Sequence, residues 1–167
     1  VSEKVPGGAT TCVIVKIVED DNGKTAVIGS VGDSRAYLFR EGNLRLITED
    51  DSVIPMDLRE KFDVTDGSDL DQIDTHFFLQ RNIITQSLGS GEELDVHLYS
   101  EKLKKGDKLI LTSDGVHDNL ATSEIKEVVG LSDHIAENLV EKARERSQAH
   151  HLRAKKDDIS AVVVEVT

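Results

Sequence analysis

Aspartates in three separate stretches are the residues of this chain best suited to do chemistry. They are Gly32-Asp33-Ser34-Arg35, Ser113-Asp114-Gly115 with Asp118 four residues on, and Asp157-Asp158 ahead of the apolar run Ile159–Val166. Each stretch opens or closes an apolar run, so carboxylates distant in sequence can meet at one end of a sheet. Converging carboxylates repel unless a cation lies among them, and an oxygen-only ligand set suits Mg²⁺, Mn²⁺ or Ca²⁺. Such a site holds hard divalent ions, lowers the pKa of a bound water and clamps a phosphoryl group. Taken singly, each aspartate is a turn former that punctuates a strand end. The three stretches together carry the reading of a metal-dependent hydrolase.

Other chemistries find less support. Gly23-Lys24-Thr25 lacks the earlier glycine of a phosphate-binding loop, because Val18 stands there, and it reads as a hairpin end. Asp69-Leu70-Asp71 has neither the apolar strand that precedes an aspartyl-phosphate nucleophile nor the glycine of a calcium loop. The six histidines are scattered, and His117 alone is near a candidate site. His150-His151 falls at a helix end and suits the helix dipole. There is no Gly-x-Ser-x-Gly elbow and no Cys or His constellation for a covalent nucleophile. A displacement by metal-activated water needs none.

At 167 residues and 38% hydrophobic content, the chain fits one globular domain with a real core. A formal charge of −12 argues against nucleic acid or an anionic membrane as partner. No apolar stretch approaches the roughly 20 residues that span a bilayer. Cys12, the single cysteine, lies in an apolar run. That placement implies a buried, inert thiol in a reducing, cytoplasmic compartment. The chain opens at Val1 without a methionine or a signal-peptide pattern, as a piece of a longer polypeptide would.

The elements that must position the aspartates are mostly strands. Thr11–Glu19 is apolar on both alternating faces, the pattern of a central, two-sided strand. Asp20-Asp21-Asn22-Gly23 signals a hairpin into Thr25–Val31. Arg35–Arg40 and Leu44–Thr48 continue what reads as a four-stranded antiparallel meander. From Glu49 to Asp74, ten acidic residues face Arg59 and Lys61 without sustained periodicity, which predicts a mobile insertion or flap. Asp95–Leu103 and Lys108–Thr112 are further strands. Thr122 is placed to cap a helix over 123–129, and Ser132 a longer one to about Ala149 with an apolar stripe of Ile135, Leu139, Val140 and Ala143. Ile159–Val166 is the last strand. The pattern predicts an α+β domain of antiparallel sheets covered by helices.

Five stretches, in order, resemble the metal-dependent serine/threonine protein phosphatases of the type 2C class. They are Gly7-Gly8-Ala-Thr-Thr11, Val31-Gly-Asp-Ser-Arg-Ala-Tyr37, Arg81-Asn-Ile-Ile-Thr-Gln-Ser-Leu-Gly89, Ile110-Leu-Thr-Ser-Asp-Gly-Val-His-Asp118 and Asp157-Asp-Ile-Ser-Ala-Val163. The resemblance implies a single domain over 1–167, with two antiparallel sheets packed as a sandwich and flanked by helices. It also implies a flap-like insertion at about 53–80. Carried over position by position, Asp114 would ligate a catalytic metal pair and Asp157 would be the late metal-binding aspartate. Asp33 would join Asp114 and Asp118 around a third ion. The implied cofactor is Mn²⁺ or Mg²⁺, two or three ions in a complete domain. The implied reaction is attack of metal-bound water on phosphoserine or phosphothreonine, with no catalytic side chain. The implied partners are a phosphoprotein substrate and a serine/threonine kinase signalling pathway.

The chain departs from the family pattern in three places. The family's early acidic ligand, its Asp-Gly-His-Gly-Gly motif and its phosphate-binding arginine are not found, so the expectation is a C-terminal portion, incomplete at the N-terminus and inactive alone. Asp50-Asp51-Ser52 stands where Asp-His-Ser is usual, and Asp158 where Asn often follows the metal aspartate. Two alternatives share the fold: a non-catalytic module that binds or regulates a phosphoprotein, and a phosphatase of an anti-sigma-type pathway.

Overall fold

Short runs of alternating apolar and polar residues, broken by Gly and Asp, fold here into antiparallel sheet. The computed structural model describes residues 7–21, 23–90 and 93–167. Residues Val1–Pro6, Asn22 of the expected hairpin turn and Gly91 lie outside them. Along the chain, Cys12–Asp20 (β1), Gly23–Val31 (β2), Arg35–Arg40 (β3) and Asn43–Leu46 (β4) are followed by two short helices, Met56–Val64 (α1) and Gln72–Phe78 (α2). His97–Lys102 (β5) and Lys108–Thr112 (β6) come next. Helices Asp114–His117 (α3), Thr122–Leu131 (α4) and Ile135–Gln148 (α5) then precede Ala161–Glu165 (β7).

The strands form two antiparallel sheets, ordered β1-β2-β5 and β4-β3-β6-β7. Side chains alternate across each strand, so each sheet has two distinct faces. Ala26 and Ile28 of β2 pack on Ala36 and Leu38 of β3 and Leu109 of β6, which joins the sheets face to face. The intervening residues Tyr37 and Ile110 point the other way, into Val116, Leu120, Ile125, Val129, Ile135 and Leu139 of the α3–α5 layer. This is the expected α+β architecture of two packed sheets with helices.

The expected four-stranded meander is divided between the sheets. The chain changes sheet after β2 at Gly32, whose φ of +93° suits glycine. A Cβ there would sit 2.4 Å from Thr11 Cγ2. The Gly32 N–H donates to Asp51 Oδ2 at 2.7 Å, and Asp51 Oδ1 pairs with His97 Nε2 of β5 at 2.8 Å. One carboxylate thus ties the sheet switch to β5.

β1 also differs from expectation. Among the described residues it is an edge strand rather than a central one. Its inner residues Val13 and Val15 meet the core, but Ile14 is 62% exposed on the outer face. Gly29 lies between Ile14 and Leu98 in register, and Leu98 is 74% exposed. Cys12 shares that face and is half-buried, not the fully buried thiol expected. An apolar strand pattern records what a face is made for, not what covers it.

The acidic segment is helical rather than irregular. Its two helices are too short for a clear periodic signal, and a small core of their own holds them: Ile54, Phe62 and Phe78, with the two rings edge to face at 5.2 Å. Asp71 caps α2 by accepting from the N–H groups of Ile73 and Asp74. The buried Arg153 anchors the segment, donating to the carbonyls of Phe62 and Thr65 on one side and of His117 and Leu120 on the other. In the later helices the caps also shift. The Ala121 N–H donates to Glu124 Oε2 at 2.9 Å, so the start of α4 is capped from within by a glutamate rather than by Thr122. Ser132 accepts from the His134 N–H at 3.1 Å, and α5 begins at Ile135.

Two stability predictions follow from these contacts. Arg153→Met leaves four buried carbonyls without a donor, and urea unfolding should show a loss of roughly 3 kcal/mol. The Asp51 carboxylate raises the His97 pKa above its ordinary value through their hydrogen bond. A raised histidine stabilises the fold below its unfolded pKa of about 6.5 and stops doing so as pH rises through the folded value. His97→Ala should therefore cost up to about 1 kcal/mol at pH 6, after screening of a partly exposed pair, and progressively less as pH rises through the folded pKa. A deficit that grows with pH would contradict this assignment.

Candidate metal centre

Register brings the aspartates together. β6 lies between β3 and β7, and Thr112 is opposite both Arg35 and Ala161. Asp33 enters β3, Asp114 leaves β6 and Asp157 leads into β7, so all three reach the same end of one sheet. Gly115 permits the close approach of the last two, since a Cβ there would lie 2.3 Å from the Asp158 carbonyl oxygen. Ser113 stitches the same junction. Its N–H donates to the Ser160 carbonyl at 3.0 Å, and its hydroxyl donates to the Asp158 carbonyl at 3.2 Å and accepts from the Ser160 N–H at 3.0 Å. The single turn of α3 then sets Asp118 four residues after Asp114, on the same side.

The carboxylates converge on a cation that belongs to the chain. Lys155 Nζ lies 2.5 Å from Asp114 Oδ2, 2.9 Å from Asp118 Oδ2 and 3.1 Å from Asp157 Oδ2. Burial pulls the Lys155 ammonium down, but Asp118 and Asp114 outweigh it and hold the pKa above its ordinary value. Burial also opposes ionisation of Asp157, yet the Lys155 hydrogen bond keeps it below the usual carboxylate range. Asp33 faces the same group. Burial, and then repulsion from Asp114 and Asp118, lifts its carboxyl to about 6 against the pull of Lys155. Asp114, Asp118 and Asp157 thus share Lys155, and Asp33 interacts with Asp114, Asp118 and Lys155.

The donor set suits a hard divalent ion in chemistry, being all carboxylate oxygen. Its spacing suits an ammonium. Among the described residues no group of His, Cys, Asp or Glu is arranged as a finished metal shell. Oxygens 2.5 to 3.1 Å from Lys155 Nζ would have to close in to reach the roughly 2.0–2.1 Å of Mg²⁺ coordination.

Behind the carboxylates lies a layer of arginines that motif reading missed. Arg35 is buried and holds Asp50 through Nε and Nη2, with Asp63 of α1 at 2.9 Å from Nη1. Arg59 of α1 also pairs with Asp50. Arg81 Nε is 3.3 Å from Asp118 Oδ1, an ion-pair distance without hydrogen-bond alignment, and its guanidinium stands 4.2 Å over the Phe78 ring. A cavity of about 20 Å³ between these groups is lined by Asp33, Arg35, Arg59, Arg81 and Asp118. That volume admits about one water.

His117, the one histidine near the site, is structural. Its Nδ1 bonds Thr112 Oγ1 at 3.0 Å, and burial, then Arg35 and Arg59, push its pKa well below the ordinary value. The acids of the helical segment are also largely committed to internal contacts. Asp50 and Asp63 pair with arginines, Asp74 pairs with Lys61, Asp69 accepts from the Thr65 hydroxyl, and Asp66 from the Ser68 N–H.

Known proteins share this arrangement of sheets. The family model described as Stage II sporulation protein E (SpoIIE) matches residues 74–167. A putative protein phosphatase 2C-type of Streptococcus pyogenes serotype M6 is 29% identical over 163 residues, covering 98% of this chain and 60% of that protein. The crystal structure of the Mycobacterium tuberculosis serine/threonine phosphatase PstP superimposes with a TM-score of 0.72 at 26% identity, covering 99% of this chain and 64% of that one. A second PstP structure, its catalytic domain in complex with 2 manganese ions, is alike in fold, with a TM-score of 0.72 at 24% identity over 98% of this chain and 63% of that one. The chain thus spans less than two thirds of the length of these relatives. It belongs to the family of the type 2C serine/threonine protein phosphatases and Stage II sporulation protein E (SpoIIE).

Proposed function

We propose that the complete protein hydrolyses phosphoserine and phosphothreonine in proteins, with Mn²⁺ or Mg²⁺ at the shared end of β3, β6 and β7. The observation that carries this reading is the convergence of Asp114, Asp118 and Asp157 on one cationic centre, with Asp33 facing it. Asp114 and Asp157 hold the catalytic ions, and Asp33 joins Asp114 and Asp118 at a further one. When bound, the ions supply an activated water and neutralise phosphoryl charge. The side chains of this chain hold and orient; none is placed as a covalent nucleophile. The α1–α2 segment stands beside the site as a flap for substrate selection.

The same reading makes residues 1–167 part of a longer enzyme. Its support is that the relatives are longer, with this chain covering 60% of one and 64% of another. The apolar outer face of β1, β2 and β5, with Ile14, Val18, Val27 and Leu98 exposed, is a face the rest of the polypeptide would cover. The rival reading, a module that binds a phosphoprotein without hydrolysing it, draws on one observation: Lys155 already occupies the centre of the carboxylates.

The test is Mn²⁺-dependent release of phosphate from a phosphothreonine peptide by the full-length polypeptide. Activity should vanish with EDTA, and Asp114→Asn or Asp157→Asn should lower kcat at least about a hundredfold. Residues 1–167 alone should turn over little. Absence of both Mn²⁺ binding and turnover in the full-length polypeptide would sink the enzyme reading and leave the module. Turnover by 1–167 at the full-length rate would sink the claim that the catalytic site is shared with the rest of the polypeptide.

A further inference from the structure

Lys155 reaches its position through contacts built into the fold. Asn119 is fully buried, and its side-chain amide clamps the Lys155 backbone from both sides: Nδ2 donates to the Lys155 carbonyl and Oδ1 accepts from the Lys155 N–H, each at 2.9 Å. The same Nδ2 donates to the Gly115 carbonyl at 2.9 Å. The backbone of Lys155 is thereby pinned to the turn that carries Asp114 and Asp118. From that point the side chain needs only its own length to reach the carboxylates. Other lysines of the chain pair with single acids, Lys61 with Asp74, Lys108 with Glu165 and Lys142 with Glu127. Lys155 touches three, with its side chain 18% exposed.

The chemistry of that contact is competitive. The ammonium uses Oδ2 of Asp114, of Asp118 and of Asp157, three of the carboxylate oxygens a divalent ion would draw on. A monovalent ammonium and a divalent ion cannot hold the same three oxygens at once. Four carboxylates and one ammonium still leave a net negative centre, so a divalent ion is attracted, but it has to expel Lys155 to bind.

We propose that Lys155 is a tethered competitor for the divalent ion, one that keeps the carboxylates gathered before the ion enters and weakens the ion's binding by the work of displacing it. This rests on the metal reading of the site. Loading then requires a higher divalent-ion concentration than the same carboxylates would need without the lysine. It also prevents the apo site from springing apart under its own charge.

Calorimetric titration of the full-length polypeptide with Mn²⁺, in wild type and Lys155→Met, tests the idea directly. The variant should bind Mn²⁺ at least about tenfold tighter, the scale on which one adjacent charge changes a carboxylate's affinity for a cation. In EDTA the variant should melt below wild type, because its carboxylates repel unopposed, and saturating Mn²⁺ should close or reverse that gap. Lys155→Arg, which keeps the charge, should stay within about threefold of wild type. If Lys155→Met does not fold, Lys155→Gln serves for the same comparison. Equal or weaker Mn²⁺ binding in the uncharged variants overturns the competitor role while leaving the metal site intact. Failure of every protein, wild type included, to bind Mn²⁺ at millimolar concentration overturns both.

Discussion

Carboxylates gathered at the end of three adjacent strands repel one another, and the surrounding structure is arranged to hold that repulsion in place. On the open side the restraint is Lys155, clamped by Asn119. On the inner side it is Arg81, close to Asp118 Oδ1 while Lys155 holds Oδ2. Asp118 therefore lies between two cations, Lys155 with its side chain 18% exposed and Arg81 with 11%. Arg81 is also committed elsewhere, over the Phe78 ring and to the Phe78 and Arg153 carbonyls. Displacing it would disturb the helical segment, whereas displacing Lys155 moves one side chain.

That difference links the helical segment to the carboxylates. Arg35, Arg81 and Arg153 each touch both the segment and the sheet end or its α3 turn. Asp50 and Asp63 neutralise this arginine layer, whereas Asp57 and Glu60 of α1 stay exposed. Here Asp50 and Asp63 make Arg35 tolerable in the core, where an unpaired guanidinium would cost several kcal/mol.

Much of this was legible in the sequence where the signal is local. Strand runs bounded by Asp-Ser, Asp-Gly and Asp-Asp announced the aspartates that converge, because apolar alternation and turn chemistry are properties of neighbouring residues. Lys155 was not legible. It is two residues from Asp157, but its meaning depends on the return of the 151–157 loop beside α3 and on the Asn119 clamp, contacts between residues 36 positions apart. The helices α1 and α2 were hidden for a related reason: each is too short for a periodic stripe, and their shared small core and a buried arginine from far along the chain hold them. Asp51 stands where the family's usual Asp-His-Ser has a histidine. In the fold, Asp51 takes the Gly32 N–H and recruits an imidazole from β5 instead.

The two sheets also differ in how fully they are used. The β4-β3-β6-β7 sheet is covered on both faces, by the partner sheet and by α3–α5, and it carries the aspartates. The β1-β2-β5 sheet carries none of them and has an apolar outer face in the open. An exposed edge strand of nine residues with branched apolar side chains is a liability that folded proteins usually cover. Ile14, Val27 and Leu98 are spent on nothing within the described residues, whereas their inward neighbours Val15, Ile28 and Tyr99 all meet the core. A sequence that keeps both faces of a strand apolar is shaped for two partners. The packing described here accounts for one, which agrees with relatives whose length exceeds this chain by more than half.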